Sequence, residues 1–139
     1  MKIEYKIVEN EKEMELCYQV RNTVFTLEQK FDEEIDKDEY DKQAIHIMAI
    51  YNGKCIGTAR MFKKDDYYKV GRVCIISAYR NKNIGKGLMD NLALLSNIKL
   101  RLSSQLHAKE FYEKCGYQAI SDVYLEEGVK HILMEKQCI

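Results

Sequence analysis

Asn52-Gly53 stands between two apolar runs, HIMAIY and CIGTARMF. A two-residue type I′ turn needs positive φ at both central residues, and Asn-Gly meets that need best. The two runs therefore pair as an antiparallel hairpin. DDYYK marks a second turn, and VGRVCIIS (Val70–Ser77) reads as the next strand. Ile45–Ser77 is thus predicted to be a three-stranded antiparallel meander.

The rest of the chain must cover that meander. KIEYKIV alternates Ile3, Tyr5 and Ile7 as a strand does. Asn10 caps a helix from Glu11 to about Phe25, with Leu16, Val20 and Val24 on its apolar face. The acidic stretch LEQKFDEEIDKDEYD (Leu27–Asp41) reads as a loop with one short helix. After the meander, a helix from about Asn83 to Ser96 carries Ile84, Leu88, Leu92 and Leu95 on one face. KLRLSS (Lys99–Ser104) is a strand, parallel to the strand before that helix by the right-handed crossover rule. HAKEFYEKCG is a helix with Ala108, Phe111, Tyr112 and Cys115 in register, ended by Gly116. Strands Tyr117–Leu125 and Val129–Lys136 close the chain around the turn EEG. The order β-α-(α)-β-β-β-α-β-α-β-β gives an α/β (α+β) fold, a mixed sheet with helices on its faces.

A chain of 139 residues with no linker or repeat suits one domain, 1–139. The 22 basic and 22 acidic residues cancel, so there is no overall pull toward nucleic acid or anionic membrane, and any anion site must be local. No apolar run approaches the roughly 18 residues of a membrane span, and no signal-peptide pattern follows Met1. The five cysteines are widely spaced, without a metal-binding pattern. Reduced thiols and a cytoplasmic location are expected, with no metal.

One segment spends stability. In YRNKNIGKGLMDNLALLSN, Gly85 and Gly87 lie at a helix start, flanked by Arg80, Lys82 and Lys86. Each glycine costs about 0.5–1 kcal/mol relative to alanine there. Two readings offset that cost. The free N–H groups of the helix start can cradle a phosphate, with glycine allowing close approach. Alternatively, the glycines let helix and sheet pack closely. A Walker A loop and a GxGxxG fingerprint both fit the spacing badly.

The stretch VCIISAYRNKNIGKGLM resembles the acetyl-CoA-binding segment of the GNAT superfamily of N-acetyltransferases. The family pattern is Arg or Gln, two residues, Gly, one residue, then Gly or Ala. Here those positions are Arg80, Asn81, Lys82, Asn83, Ile84 and Gly85, with Asn83 replacing the first glycine. Asparagine tolerates left-handed backbone well, so the turn can survive. HAKEFYEKCGY resembles a second family block. VFTLEQ, HIMA and EEGVKHILMEK are most similar to the small ElaA-like bacterial acetyltransferases.

The resemblance implies a mostly antiparallel sheet splayed between its fourth and fifth strands. It implies transfer of acetyl from acetyl-CoA by direct attack of a primary amine on a small molecule or peptide. It implies that Val73, Cys74 and Ile75 pair by backbone with the pantetheine arm. The N–H groups from about Asn81 to Gly87, with Arg80, Lys82, Asn83, Ile84, Gly85 and Lys86, then hold the pyrophosphate. Tyr112 matches the family's general acid, although its place on the apolar stripe also suits a core aromatic. His107 either contacts pantetheine or caps its helix, and Phe111 falls with the cofactor residues. Glu28, His46 and His131 are candidates for the base or acceptor pocket, each with an ordinary structural role beside it. Arg72 and Arg60 can bind an acidic acceptor group or sit solvated. DEEIDKDEYD can attract an amine or be a solvated loop, and Cys74 itself reads as a small buried hydrophobe. A homodimer through sheet edges or helices is a further expectation. Two rival classes stay open: a non-catalytic acyl-CoA sensor, which would bind without turnover, and an interaction domain that binds no CoA.

Overall fold

The computed structural model describes residues 1–30 and 37–138. Strand β1 (Glu4–Ile7) leads into helix α1 (Glu11–Arg21), which runs on as a π-helical segment (Asn22–Glu28). A short 3-10 helix (Glu39–Lys42) precedes β2 (Ile45–Tyr51), β3 (Lys54–Lys64) and β4 (Tyr67–Ile75). Then come α2 (Ile84–Leu94), β5 (Leu100–Gln105), α3 (Lys109–Lys114), β6 (Gln118–Ala119), β7 (Tyr124–Glu126) and β8 (Val129–Lys136). The meander forms as expected, and Asn52 and Gly53 both take positive φ, 50° and 75°.

One sheet runs β1-β2-β3-β4-β5-β8-β6, with β7 also paired to β8. β4 and β5 are parallel, and the other pairings are antiparallel. Alternation along β2 divides the core. Ile47 and Ala49 pack with Ile84, Leu88 and Leu92 of α2 and with Leu100, Leu102 and Met134. Met48 faces the other way, against Cys17, Val20 and Val24 of the first helical segment, with Cys55 and Cys74. Helices therefore cover both faces.

Three expectations are corrected in detail. The first helix does not stay α-helical to Phe25. Thr23 donates its hydroxyl to the Gln19 carbonyl, and Gln29 N–H reaches back five residues to Val24. Its buried face is Cys17, Val20, Arg21 and Val24, while Leu16 is exposed. In α2, Leu95 is exposed, and Met89 and Ala93 complete the core face instead. The strand expected over Tyr117–Leu125 breaks into β6 and β7, because the Ser121 hydroxyl accepts the Leu133 N–H where a strand carbonyl would sit. Of the expected acidic loop, residues 31–36 lie outside the described residues.

The sheet splits in its middle. β4 and β5 pair only at Tyr68–Leu100, Lys69–Arg101 and Val70–Leu102. Beyond Val70, β4 bulges: Arg72 and Val73 together face the single residue Ala59 of β3. Arg72 takes φ of 52°. The extra residue bends β4 away from β5, which keeps its pairing to β8 through Gln105.

Candidate active site

The gap between β4 and β5 opens into a cavity of about 470 Å³, lined by Arg72, Val73, Gln105, His107, Tyr112 and His131, among others. Residues 71–75 of β4 have no ladder partner on the β5 side. Their edge is available to another extended chain. Cys74 points its thiol into the core with Cys17 and Cys55, so only its backbone can serve that edge.

The basic turn follows the end of β4. Asn81 and Asn83 both hold left-handed backbone, φ of 61° and 63°. Asn83 is the N-cap of α2 and places no side chain over the helix start. Its carbonyl takes the Gly87 N–H at 3.1 Å. The N–H groups of Ile84, Gly85 and Lys86 belong to the first turn and have no intrahelical acceptor. Three free donors with positive dipole behind them are thus available to an anion.

Gly87 is not one of those donors, a correction to its expected role. Its N–H is spent on Asn83, and a Cβ there would lie 1.9 Å from the Tyr5 hydroxyl oxygen. Close helix–sheet packing explains this glycine. Phe111 is likewise packed under the turn, where a Cβ on Gly85 would meet its ring at 3.0 Å, and it does not line the cavity. Ile84 buries its side chain and offers only backbone. Arg80 donates to the Ile75 carbonyl at 3.0 Å and forks onto Glu28 at 2.5 and 2.7 Å. Lys86 pairs with Asp90 at 2.7 Å, and Lys82 is exposed. The Glu28 and Asp90 pairs are at the surface, so an incoming phosphate can compete for both cations.

Tyr112 sits at the base of the gap, its ring edge-on to Phe111 and Tyr117. Burial pushes its phenol pKa upward, so the group stays a neutral donor at working pH. Among the described residues its hydroxyl has no hydrogen-bond partner, unlike that of a satisfied core tyrosine. His107 does not cap α3, whose N-cap is Ala108; it bonds Gln105 at 2.7 Å at the cavity wall.

The three base candidates part company. Glu28 is held by Arg80 beside the basic turn and does not line the cavity. His46 is buried behind it, bonded to the Asp41 carbonyl at 2.8 Å, and burial pushes its pKa down. His131 lines the cavity, with Nδ1 2.8 Å from the Val129 carbonyl and Nε2 3.3 Å from Glu126. A carbonyl only accepts, so Nδ1 carries the proton and Nε2 is the nitrogen able to exchange one.

On the opposite wall, Arg60 donates to Asp38 at 2.6 and 2.7 Å and to Asp41 at 2.7 Å. Asp41 also takes a bidentate contact from buried Arg21, and Arg72 reaches Asp38 at 3.1 Å. Burial pushes Asp41 up, but Arg21 and Arg60 more than reverse this and hold it at about 2. Asp38 and Asp41 are therefore neutralised by arginines and do not act as a lure for amines. Both terminal nitrogens of Arg60 are thus held by carboxylates, while among the described residues its buried Nε has no partner.

Residues 8–138 match the acetyltransferase (GNAT) domain family. The chain belongs to the GNAT family. ElaA of Escherichia coli is 30% identical over 130 residues, covering 87% of this chain and 85% of its own. YjcF of Bacillus subtilis, an uncharacterised N-acetyltransferase, is 30% identical over 135 residues, 94% of this chain and 96% of its own. The crystal structure of E. coli ElaA superposes with a TM-score of 0.85 at 27% identity, covering 98% of this chain and all of that one. The GNAT fold is also shared with an aminoglycoside 6′-N-acetyltransferase complexed with coenzyme A, at a TM-score of 0.78 and 17% identity over 100% of this chain and 98% of that one.

GNAT proteins bind acyl-CoA, and this chain has both a splayed strand edge on β4 and, after the turn that follows β4, an open helix start. Several cavity residues escaped sequence reasoning: Lys69, Ser103, Glu126 and the bulge at Arg72. Only Glu126 carried a signal, as part of the EEG turn. No helix among the described residues is long and apolar enough to cross a membrane.

Proposed function

We propose that this chain is an N-acetyltransferase moving the acetyl group of acetyl-CoA directly onto a primary amine of a small molecule or peptide. The observation that carries the reading is the Tyr112 hydroxyl, without a hydrogen-bond partner among the described residues, lining a gap whose β4 edge is unpaired. Acetyl-CoA supplies the acetyl group as a thioester. The residues present suit it: the backbone of Val73–Ile75 offers a strand edge, and the N–H groups of Ile84, Gly85 and Lys86 offer an anion site, with Arg80 and Lys82 nearby. A fixed backbone donor near the thioester carbonyl is worth about 3–4 kcal/mol as negative charge develops on oxygen. His131 Nε2 takes the proton of the attacking amine and shares it with Glu126. Tyr112 donates a hydrogen bond to the departing sulfur and delivers its proton as the carbon–sulfur bond breaks. No cysteine is exposed in the cavity, which favours direct attack over an acyl-enzyme.

Steady-state thiol release with acetyl-CoA and a panel of amines tests the reading. Tyr112→Phe is expected to lower kcat by about 10²–10⁴-fold with little change in KM for acetyl-CoA. Near-normal kcat in a folded variant would return Tyr112 to the core. Tight acetyl-CoA binding with no turnover of any amine would favour the acyl-CoA sensor.

A further inference from the structure

Lys69 lies on β4 one residue before the pairing with β5 ends, and its side chain lines the cavity. It is half-buried, yet among the described residues no carboxylate lies within ion-pair distance. The cations around it differ in this respect. Arg60 is bound by Asp38 and Asp41, and Arg72 by Asp38. A half-buried ammonium with no ion pair among the described residues favours an incoming anion. Burial pushes its pKa down, as does Lys64; Glu126 across the cavity acts the other way, and Arg60 and Arg72 add smaller downward effects. Among the described residues Glu126 is the acidic group that acts on it, without reaching ion-pair distance.

The other side of the cavity has the opposite character. Glu126 and Glu127 sit at the β7–β8 turn, beside His131. Ser103 donates to Glu126 at 3.4 Å and is itself hydrogen-bonded to Tyr124, which steadies this carboxylate. β7 is three strands away from β4, by way of β5 and β8. At about 4.8 Å per strand this sets the two walls roughly 14 Å apart at the backbone. Long side chains from both walls reduce that to a span of several bonds.

We propose that the acceptor is an amino-carboxylate, its anionic group bound by Lys69 and its amine, several bonds away, presented to Glu126 and His131. This rests on the acetyl-transfer reading for the role of the amine, but not for the anion subsite. An ion pair to a half-buried ammonium contributes about tenfold or more in selectivity.

The test compares δ-aminovalerate with butylamine, which lacks the carboxylate, and cadaverine, which replaces it with a second amine. Thiol release gives kcat/KM for each, and calorimetry on CoA-saturated protein gives binding without turnover. Wild type is expected to favour δ-aminovalerate over butylamine by about tenfold or more. Lys69→Gln is expected to bring that ratio toward one, and Lys69→Glu to shift preference to cadaverine, with thermal unfolding confirming folded variants. Equal use of the three amines by wild type, or an unchanged ratio in Lys69→Gln, overturns the subsite and leaves acetyl transfer intact. If no amine is acetylated, Lys69-dependent binding of δ-aminovalerate upholds the subsite while acetyl transfer falls. Absence of that binding overturns the subsite.

Discussion

Replacing Gly87 with alanine separates the two explanations for the glycines at the start of α2. The added Cβ would lie 1.9 Å from the Tyr5 hydroxyl oxygen, 2.2 Å from Cζ and 2.9 Å from Cε1. All three atoms belong to one stiff ring on β1, so the whole ring must move. Overpacking of this kind costs about 1–3 kcal/mol. Alanine returns about 0.5–1 kcal/mol of helix propensity. The net loss is about 0.5–2 kcal/mol, a Tm fall of several degrees for a domain of this size. Tyr5→Ala removes the ring. In that background the clash is gone, and Gly87→Ala is expected to stabilise by about 0.5–1 kcal/mol. The four proteins of this cycle are compared by urea unfolding, with CoA affinity measured in parallel. An equal cost of Gly87→Ala in both backgrounds would refute the packing argument. So would a fully stable Gly87→Ala protein that has lost CoA affinity, since that result belongs to a phosphate-binding glycine.

Asn83 holds left-handed backbone, so Asn83→Gly is expected to keep CoA affinity, whereas Asn83→Val weakens it about tenfold or more by forcing a β-branched residue to positive φ; calorimetry with CoA reads both. Asp41, held at about 2 against an unfolded value of 3.8, contributes stability that is complete above about pH 4 and lost as pH falls toward 2. Its share is about 2 kcal/mol, and urea midpoints across that pH range, compared with Asp41→Asn, reveal it. The substitution removes the charge that Asp41 presents to Arg21 and Arg60, Arg60 keeping Asp38, and is expected to cost about 3 kcal/mol at neutral pH.

The fold was legible wherever local chemistry had one answer. Asn52-Gly53 admits a single hairpin geometry, and Leu100 and Leu102 admit a single strand face. The first helix was harder because Leu16 and Cys17 are adjacent apolar residues, and only packing against Met48 and Cys55 decides which faces inward. The π-helical segment depends on Thr23 and on a five-residue backbone bond, neither of which has a sequence period. At the site, the basic turn was visible, but which glycine serves the backbone and which the packing depends on Tyr5, some eighty residues earlier. Glu28 and His46 looked like catalytic candidates by residue type. Their roles are set by Arg80 and by burial behind Asp41, contacts distant in sequence. Lys69 gave no signal, because a lysine in a strand looks solvated until its place in the cavity wall is known.

The bulge at Arg72 has a mechanical consequence. Three rungs, Tyr68–Leu100, Lys69–Arg101 and Val70–Leu102, are all that laces the half-sheet β1–β4 to the half-sheet built on β5 and β8. The main ladders within each half, β2 with β3 and β5 with β8, are longer. Compliance is therefore concentrated along one line. The halves can tilt about those rungs while every other ladder stays whole, and the shared core under α2 limits how far. A chain lying along the free edge of β4 fills this seam, so the line along which the sheet yields most easily is also the one that a ligand stiffens.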